Sequence, residues 1–140
     1  MREQMPITFV PNPGDVLMCD FESEGFVRPE MEKVRHCVVI SPRLRRQWGT
    51  CVIVPFSTQP PYQIYPFHYV IEANKYGFFK RDTEIWAKAN MLTHVGFSRL
   101  DRVIDGGIYC RRCLDDVDFK GVMVAVLHAV GCPELVAHFA

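Results

Sequence analysis

Punctuation limits what this chain folds into more than any other feature. Pro11-Asn12-Pro13-Gly14, Gly25, Ser41-Pro42, Pro60-Pro61, Gly77, Gly106-Gly107 and Gly131-Cys132-Pro133 break it repeatedly. Between these marks lie runs of strand length: Asp15 to Phe21, Arg35 to Ile40, Cys51 to Phe56, His68 to Glu72 and Glu84 to Ala89, all rich in Val, Ile, Phe, Tyr or Trp. Parallel strands need long, usually helical crossovers, and no helical pattern separates these runs. The pattern therefore predicts a mainly β fold, a meandering antiparallel sheet curled into a barrel over about residues 12–100.

Only the end of the chain changes period. Phe119, Val122, Met123, Val126, Leu127 and Val130 recur at helical spacing and predict a C-terminal α-helix over about 115–131. Asp115 is placed to cap it, Asp116 and Asp118 suit the positive end of its dipole, and Gly131 with Pro133 stops it. Gly121 costs about 1 kcal/mol relative to Ala inside a helix, so it marks either close packing or a tolerated loss. The helix is expected to lie over the barrel. Asp101 to Arg112, charged on both signs around Gly106-Gly107, reads as an exposed loop leading into it.

At 140 residues the chain fits a single domain. Met1 to Pro13 holds no apolar run of signal-peptide length, and the apolar stretch Val122 to Val136 is interrupted and too short to span a bilayer. A cytoplasmic protein with no membrane association is expected. Cys19, Cys37 and Cys51 sit in apolar runs and read as small core hydrophobes. Cys110 and Cys113 have zinc-like spacing, yet no second such pair exists to complete four ligands, which leaves a metal- or redox-responsive role as a minor reading.

Sixteen Lys and Arg balance 16 Asp and Glu, which excludes broad electrostatic coating of a nucleic acid. The balance is an average. Arg28, Lys33, Arg35, Arg43, Arg45 and Arg46 face only Glu30 and Glu32 over one short stretch. Arg35 directly precedes an apolar strand, so its planar fork is held by a rigid element, as recognition of a phosphate requires. Ser57 and Thr58 follow the strand Cys51 to Phe56 at a proline-rich turn. They suit either a Ser/Thr turn or, converging with Arg35, a phosphodiester site. Phe67 and Tyr69 are expected to fill a barrel face, which leaves only Tyr62 or Tyr65 free to stack on bases.

Three runs carry a resemblance. Gly14-Asp15-Val16-Leu17-Met18-Cys19-Asp20-Phe21, Val34-Arg35-His36-Cys37-Val38-Val39-Ile40-Ser41-Pro42 and Val52-Ile53-Val54-Pro55-Phe56-Ser57-Thr58-Gln59 resemble, in order and spacing, the PemK/MazF family of toxin endoribonucleases. The likeness extends through Trp86-Ala87-Lys88-Ala89-Asn90 to the terminal helix. It implies an SH3-like barrel, a homodimer, and metal-independent cleavage of single-stranded RNA without a cofactor. It also implies neutralisation by a cognate antitoxin, with any DNA binding confined to that complex. On this resemblance Arg35, Ser57 and Thr58 are the catalytic candidates, and Lys33, Arg43, Lys88 and Asn90 the RNA-binding ones.

Two positions depart from the family pattern. His36 stands where many relatives have proline, and strand alternation sends it to the face opposite Arg35, a structural or surface position. Asn90 stands where some relatives carry an aspartate, and an amide cannot accept a proton as a carboxylate does. Alternation groups Glu84, Trp86, Lys88 and Asn90 on one face if the strand persists. The alternative function is thus a barrel that binds RNA or protein without efficient cleavage.

Overall fold

A computed structural model describes residues 5–22, 33–43 and 49–139. Arg28, Arg45 and Arg46 of the basic run, with Glu30 and Glu32, lie outside the described residues. The chain forms β1 (Asp15–Asp20), β2 (Val34–Val39), β3 (Thr50–Ser57), β4 (His68–Glu72), β5 (Glu84–Lys88), β6 (Thr93–Gly96), β7 (Leu100–Asp105), β8 (Ile108–Cys110), β9 (Arg112–Cys113) and α1 (Asp116–Ala129). The strands run in the order β4-β5-β3-β2-β1-β7-β8, with β6 paired to β3 and β9 to β1. Every ladder is antiparallel, and the sheet curls in a barrel-like way with α1 packed on it.

The five expected runs are all strands, displaced at their ends by no more than one residue. The reading of Asp101 to Arg112 as a loop is corrected. Leu100–Asp105 is a strand paired with β1, and it returns through β8, whose register sets Asp105 opposite Ile108. Gly106 and Gly107, at φ of 62° and 80°, form the two-residue turn between them, a conformation that glycine adopts without steric cost. The charges of Asp101, Arg102 and Asp105 had concealed a strand whose Leu100 and Val103 are fully buried.

Alternation along β1, β2 and β3 feeds two cores. Val16, Val38 and Val54 point to one side, where Ile71, Phe79, Ile85 and, from α1, Val122, Ala125 and Val126 meet them. Leu17, Cys19, Cys37, Val39, Cys51 and Ile53 point to the other, closed by Ile7, Val95 and Leu100. The three central strands are thus buried on both faces, which explains their near-continuous apolar runs. Burial pushes the Cys51 thiol up to about 12, in keeping with a packing role.

Helix α1 starts as its sequence requires, with the Asp115 carboxylate accepting the Asp118 N–H at 2.8 Å. Asp118, however, is buried rather than displayed at the helix end. It accepts hydrogen bonds from the hydroxyls of Tyr69 and Tyr76, each at 2.6 Å, and from Lys75 Nζ at 3.0 Å. Lys75 also pairs with Asp115 at 2.9 Å. Gly121 lies against Tyr69 so closely that a Cβ there would collide with the ring. The glycine marks close packing, one turn from the latch that ties α1 to the sheet.

Candidate functional site

One strand exchange creates a cleft. Ile53–Pro55 of β3 pair with Val39–Cys37 of β2, whereas Phe56 and Ser57 pair with Ala87 and Trp86 of β5. Pro55 brings no N–H donor and is the last β3 residue in register with β2. Beyond it, Val34, Arg35 and His36 keep their partners Asp20, Cys19 and Met18 on β1, while β3 continues with β5. The two strands part. A cleft of about 190 Å³ opens between Val34, Arg35 and His36 on one side and Phe56, Ser57 and Thr58 on the other, with Phe79 and Ile85 completing it.

Arg35, Ser57 and Thr58 are therefore brought together from separate strands. Ser57 is buried, and its Oγ accepts the Gln59 N–H at 3.1 Å. That bond is the Ser/Thr turn its sequence suggested, and the hydroxyl keeps its own proton to donate. Thr58 is exposed at the rim. Trp86, opposite Ser57 in register, is buried with an Nε1 that has no hydrogen-bond partner among the described residues.

Lys88, at the end of β5, belongs to the same electrostatic neighbourhood. Partial burial and the nearby Arg35 guanidinium both lower its pKa, since each opposes a second positive charge. His68, its partner in register, is in turn lowered by burial and by Lys88. Lys33 is exposed immediately before β2, at a φ of 71°, and its carbonyl accepts from the Phe21 N–H at 2.8 Å. Two RNA-binding candidates are placed elsewhere. Arg43 follows the opposite end of β2 from Arg35, where its Nε donates to the Val10 carbonyl at 3.4 Å. Asn90 is exposed in a 3-10 turn, Ala89–Met91, because β5 stops at Lys88 and the alternation meant to carry Asn90 beside it stops too.

His36 keeps the face that alternation assigns to it, opposite Arg35 and on the side of Val38, Phe78 and Phe79, and both residues line the cleft. The imidazole meets Phe79 edge to face at 5.0 Å and Phe78 at 6.3 Å between ring centroids. Burial pushes its pKa down to about 4, while a hydrogen bond with the Phe78 backbone works weakly the other way. No sequence signal marks these phenylalanines as its partners, because they arrive from beyond β4.

Among the described residues no carboxylate lines the cleft. A guanidinium, a hydroxyl-bearing turn and a neighbouring lysine make it suited to an anion with several oxygens. Among the described residues no group of three or more His, Cys, Asp or Glu is placed to hold a metal ion, and Cys110 and Cys113 are free thiols on β8 and β9. Among the same residues no helix is long and apolar enough to cross a membrane.

The cleft's position can be set against known proteins. Residues 12–120 match the family profile described as PemK-like, MazF-like toxin of type II toxin-antitoxin system. The uncharacterised protein YifN of Escherichia coli (strain K12) is 26% identical over 151 aligned positions, covering 94% of this chain and 99% of that one. MazF from Deinococcus radiodurans superposes with a TM-score of 0.64 at 15% identity, over 88% of this chain and 98% of that chain. An endoribonuclease in complex with its cognate antitoxin, from a mycobacterial species, gives a TM-score of 0.62 at 16% identity over 88% and 97%. The matched region contains β1 to β9, and with them the whole cleft.

Proposed function

The chain belongs to the PemK-like, MazF-like toxins of type II toxin-antitoxin systems, and on that premise we propose that it is an endoribonuclease cutting single-stranded RNA at the cleft between β2 and β3. The observation that carries this reading is the convergence of Arg35 with Ser57 in a cleft that no acid lines among the described residues. An acid there would repel a phosphodiester. The existing groups attract one.

In the proposed reaction the ribose 2′-oxygen attacks its own phosphorus, the bond to the 5′-oxygen breaks, and one product ends in a 2′,3′-cyclic phosphate. Negative charge grows on the non-bridging oxygens as the fifth bond forms. Arg35 offers a planar pair of N–H donors to those oxygens, and Ser57 donates its hydroxyl proton to one of them. Lys88 adds to the positive potential, and Thr58 meets the substrate at the rim. Each of these groups acts without a metal ion or cofactor. DNA lacks the attacking hydroxyl and is expected to be inert. The proposal includes a homodimer in the cytoplasm and a cognate antitoxin that blocks the groove.

Purified protein incubated with several single-stranded RNAs in EDTA tests this. Fragments ending in cyclic phosphate, with a DNA copy intact, are the expected result. RNA left whole throughout would overturn it and favour the second reading, binding without cleavage, which the lack of a carboxylate among the described lining residues supports. Since Asn90 stands outside the cleft, Asn90→Asp is expected to leave cleavage unchanged.

A further inference from the structure

The reaction just described has to remove a proton from the 2′-hydroxyl. Arg35 is permanently protonated, Ser57 and Thr58 are hydroxyls, and among the described residues the rest of the lining except His36 is apolar. Resting on the reading of the cleft as a ribonuclease site, we propose that His36 accepts that proton. The argument begins with place: His36 follows Arg35 on β2 and borders the same space as Ser57. A base here lines the same cleft as the groups that bind the phosphate, and the 2′-oxygen is attached to the same nucleotide.

Its surroundings prepare it for the role. Phe79 and Phe78 fix the plane of the ring and strip water from it. A neutral imidazole carries one N–H and one nitrogen free to accept a proton. Charged or titratable groups on the surrounding elements are Asp20 on β1, Arg35 on its own strand, Glu84 and Lys88 on β5, and Tyr76 just before the two phenylalanines. Burial dominates over all of them and keeps the imidazole neutral near pH 7. A neutral acceptor neither repels the phosphate nor cancels the Arg35 charge, as a carboxylate in the same place does. An entering phosphate raises the ring's proton affinity through its negative charge, so the base strengthens when the substrate is bound.

The step balances as follows in the bound complex. The proton on O2′ passes to the free ring nitrogen, the O2′–P bond forms, and the P–O5′ bond breaks. The 5′-oxygen leaves with a proton taken from water, and the imidazolium returns its proton to solvent.

Single-turnover cleavage of one RNA oligonucleotide by wild type, His36→Gln and Arg35→Ala tests the assignment. Binding is followed with the same oligonucleotide methylated at its 2′-oxygens. We expect His36→Gln to cut about 100-fold more slowly or worse, with binding changed by no more than about twofold. A substrate with sulfur in place of the leaving 5′-oxygen should leave that defect in place, because it relieves only the need for an acid. Rescue by the sulfur substrate, or wild-type cutting by His36→Gln, overturns the role of His36 while leaving the ribonuclease reading intact. RNA left uncut by wild type overturns both. Should His36→Gln fail to fold, the wild-type pH profile decides. Its acid limb has to coincide with the titration of the His36 ring followed by NMR in the methylated complex, and a limb that does not coincide overturns the proposal.

Discussion

Two polar clusters are built from residues distant in sequence, and they are resolved in opposite ways. At the latch, the buried Asp118 carboxylate receives two tyrosine hydroxyls and a lysine, so its charge is answered within the protein. Mutual compensation shows in the proton affinities: the Tyr69 hydroxyl is pushed up to about 12 by burial and by Asp118, and the Lys75 ammonium is also held more tightly by its bonds to Asp115 and Asp118. At the cleft, the Arg35 guanidinium lowers the proton affinity of Lys88, and no acid lines the cleft among the described residues. The latch is chemically closed and secures the helix. The cleft gathers a guanidinium, two hydroxyls and a nearby lysine that together draw an oxyanion, which is why function is sought there and stability at the latch.

The contrast breaks most sharply at Arg35. Arg35→Ala is expected to reduce RNA cleavage about 1000-fold, roughly 4 kcal/mol of transition-state stabilisation, with little change in the urea midpoint. Asp118→Ala should do the reverse. It leaves Tyr69, Tyr76 and Lys75 without their shared acceptor, and urea denaturation should show a loss of about 3 kcal/mol, whereas cleavage per folded molecule holds.

Acid sharpens the comparison on a scale similar to the Asp118 change. His36 titrates near 6.5 in an unfolded chain and at about 4 in the fold, so above pH 6.5 the ring is neutral in both states and pH has no leverage through it. Between these values only the unfolded chain gains a proton, and stability falls by on the order of 3 kcal/mol in all. Denaturation midpoints measured at successive pH values should therefore decline across this window, and the decline should flatten in His36→Gln. The latch responds later. Its Asp115 carboxyl is held below the usual carboxylate value of 3.8, first by the Asp118 N–H and then by Lys75, so that contribution is present above 3.8 and is lost as pH falls further. The smallest expected effect is at Gly121. Alanine there gains about 1 kcal/mol of helix propensity but forces the Tyr69 ring aside, and thermal unfolding should show a net loss of about 1 kcal/mol.

Legibility in the sequence followed the range of the interactions. Strand runs and the capped helix depend on neighbours a few residues apart, and they were readable. Leu100–Asp105 was hidden because alternating charges disguised a strand buried on both faces of its pairing. The motifs of Arg35 and Ser57 were legible as separate runs, while the cleft that gathers them with His36 depends on β3 leaving β2 for β5, which no local pattern marks. The latch was invisible for another reason. Asp118 has the composition of an exposed first-turn acid, and nothing local reveals that Tyr69 and Tyr76 arrive from β4 and the turn after it.

The most direct test of the division between cleft and latch measures cleavage per folded molecule and unfolding midpoint together, for Arg35→Ala and Asp118→Asn. The account predicts that Arg35→Ala keeps the midpoint and loses cutting, while Asp118→Asn lowers the midpoint and cuts RNA at the wild-type rate when folded. Undiminished cutting by Arg35→Ala, or a folded Asp118→Asn protein that no longer cuts, would contradict it.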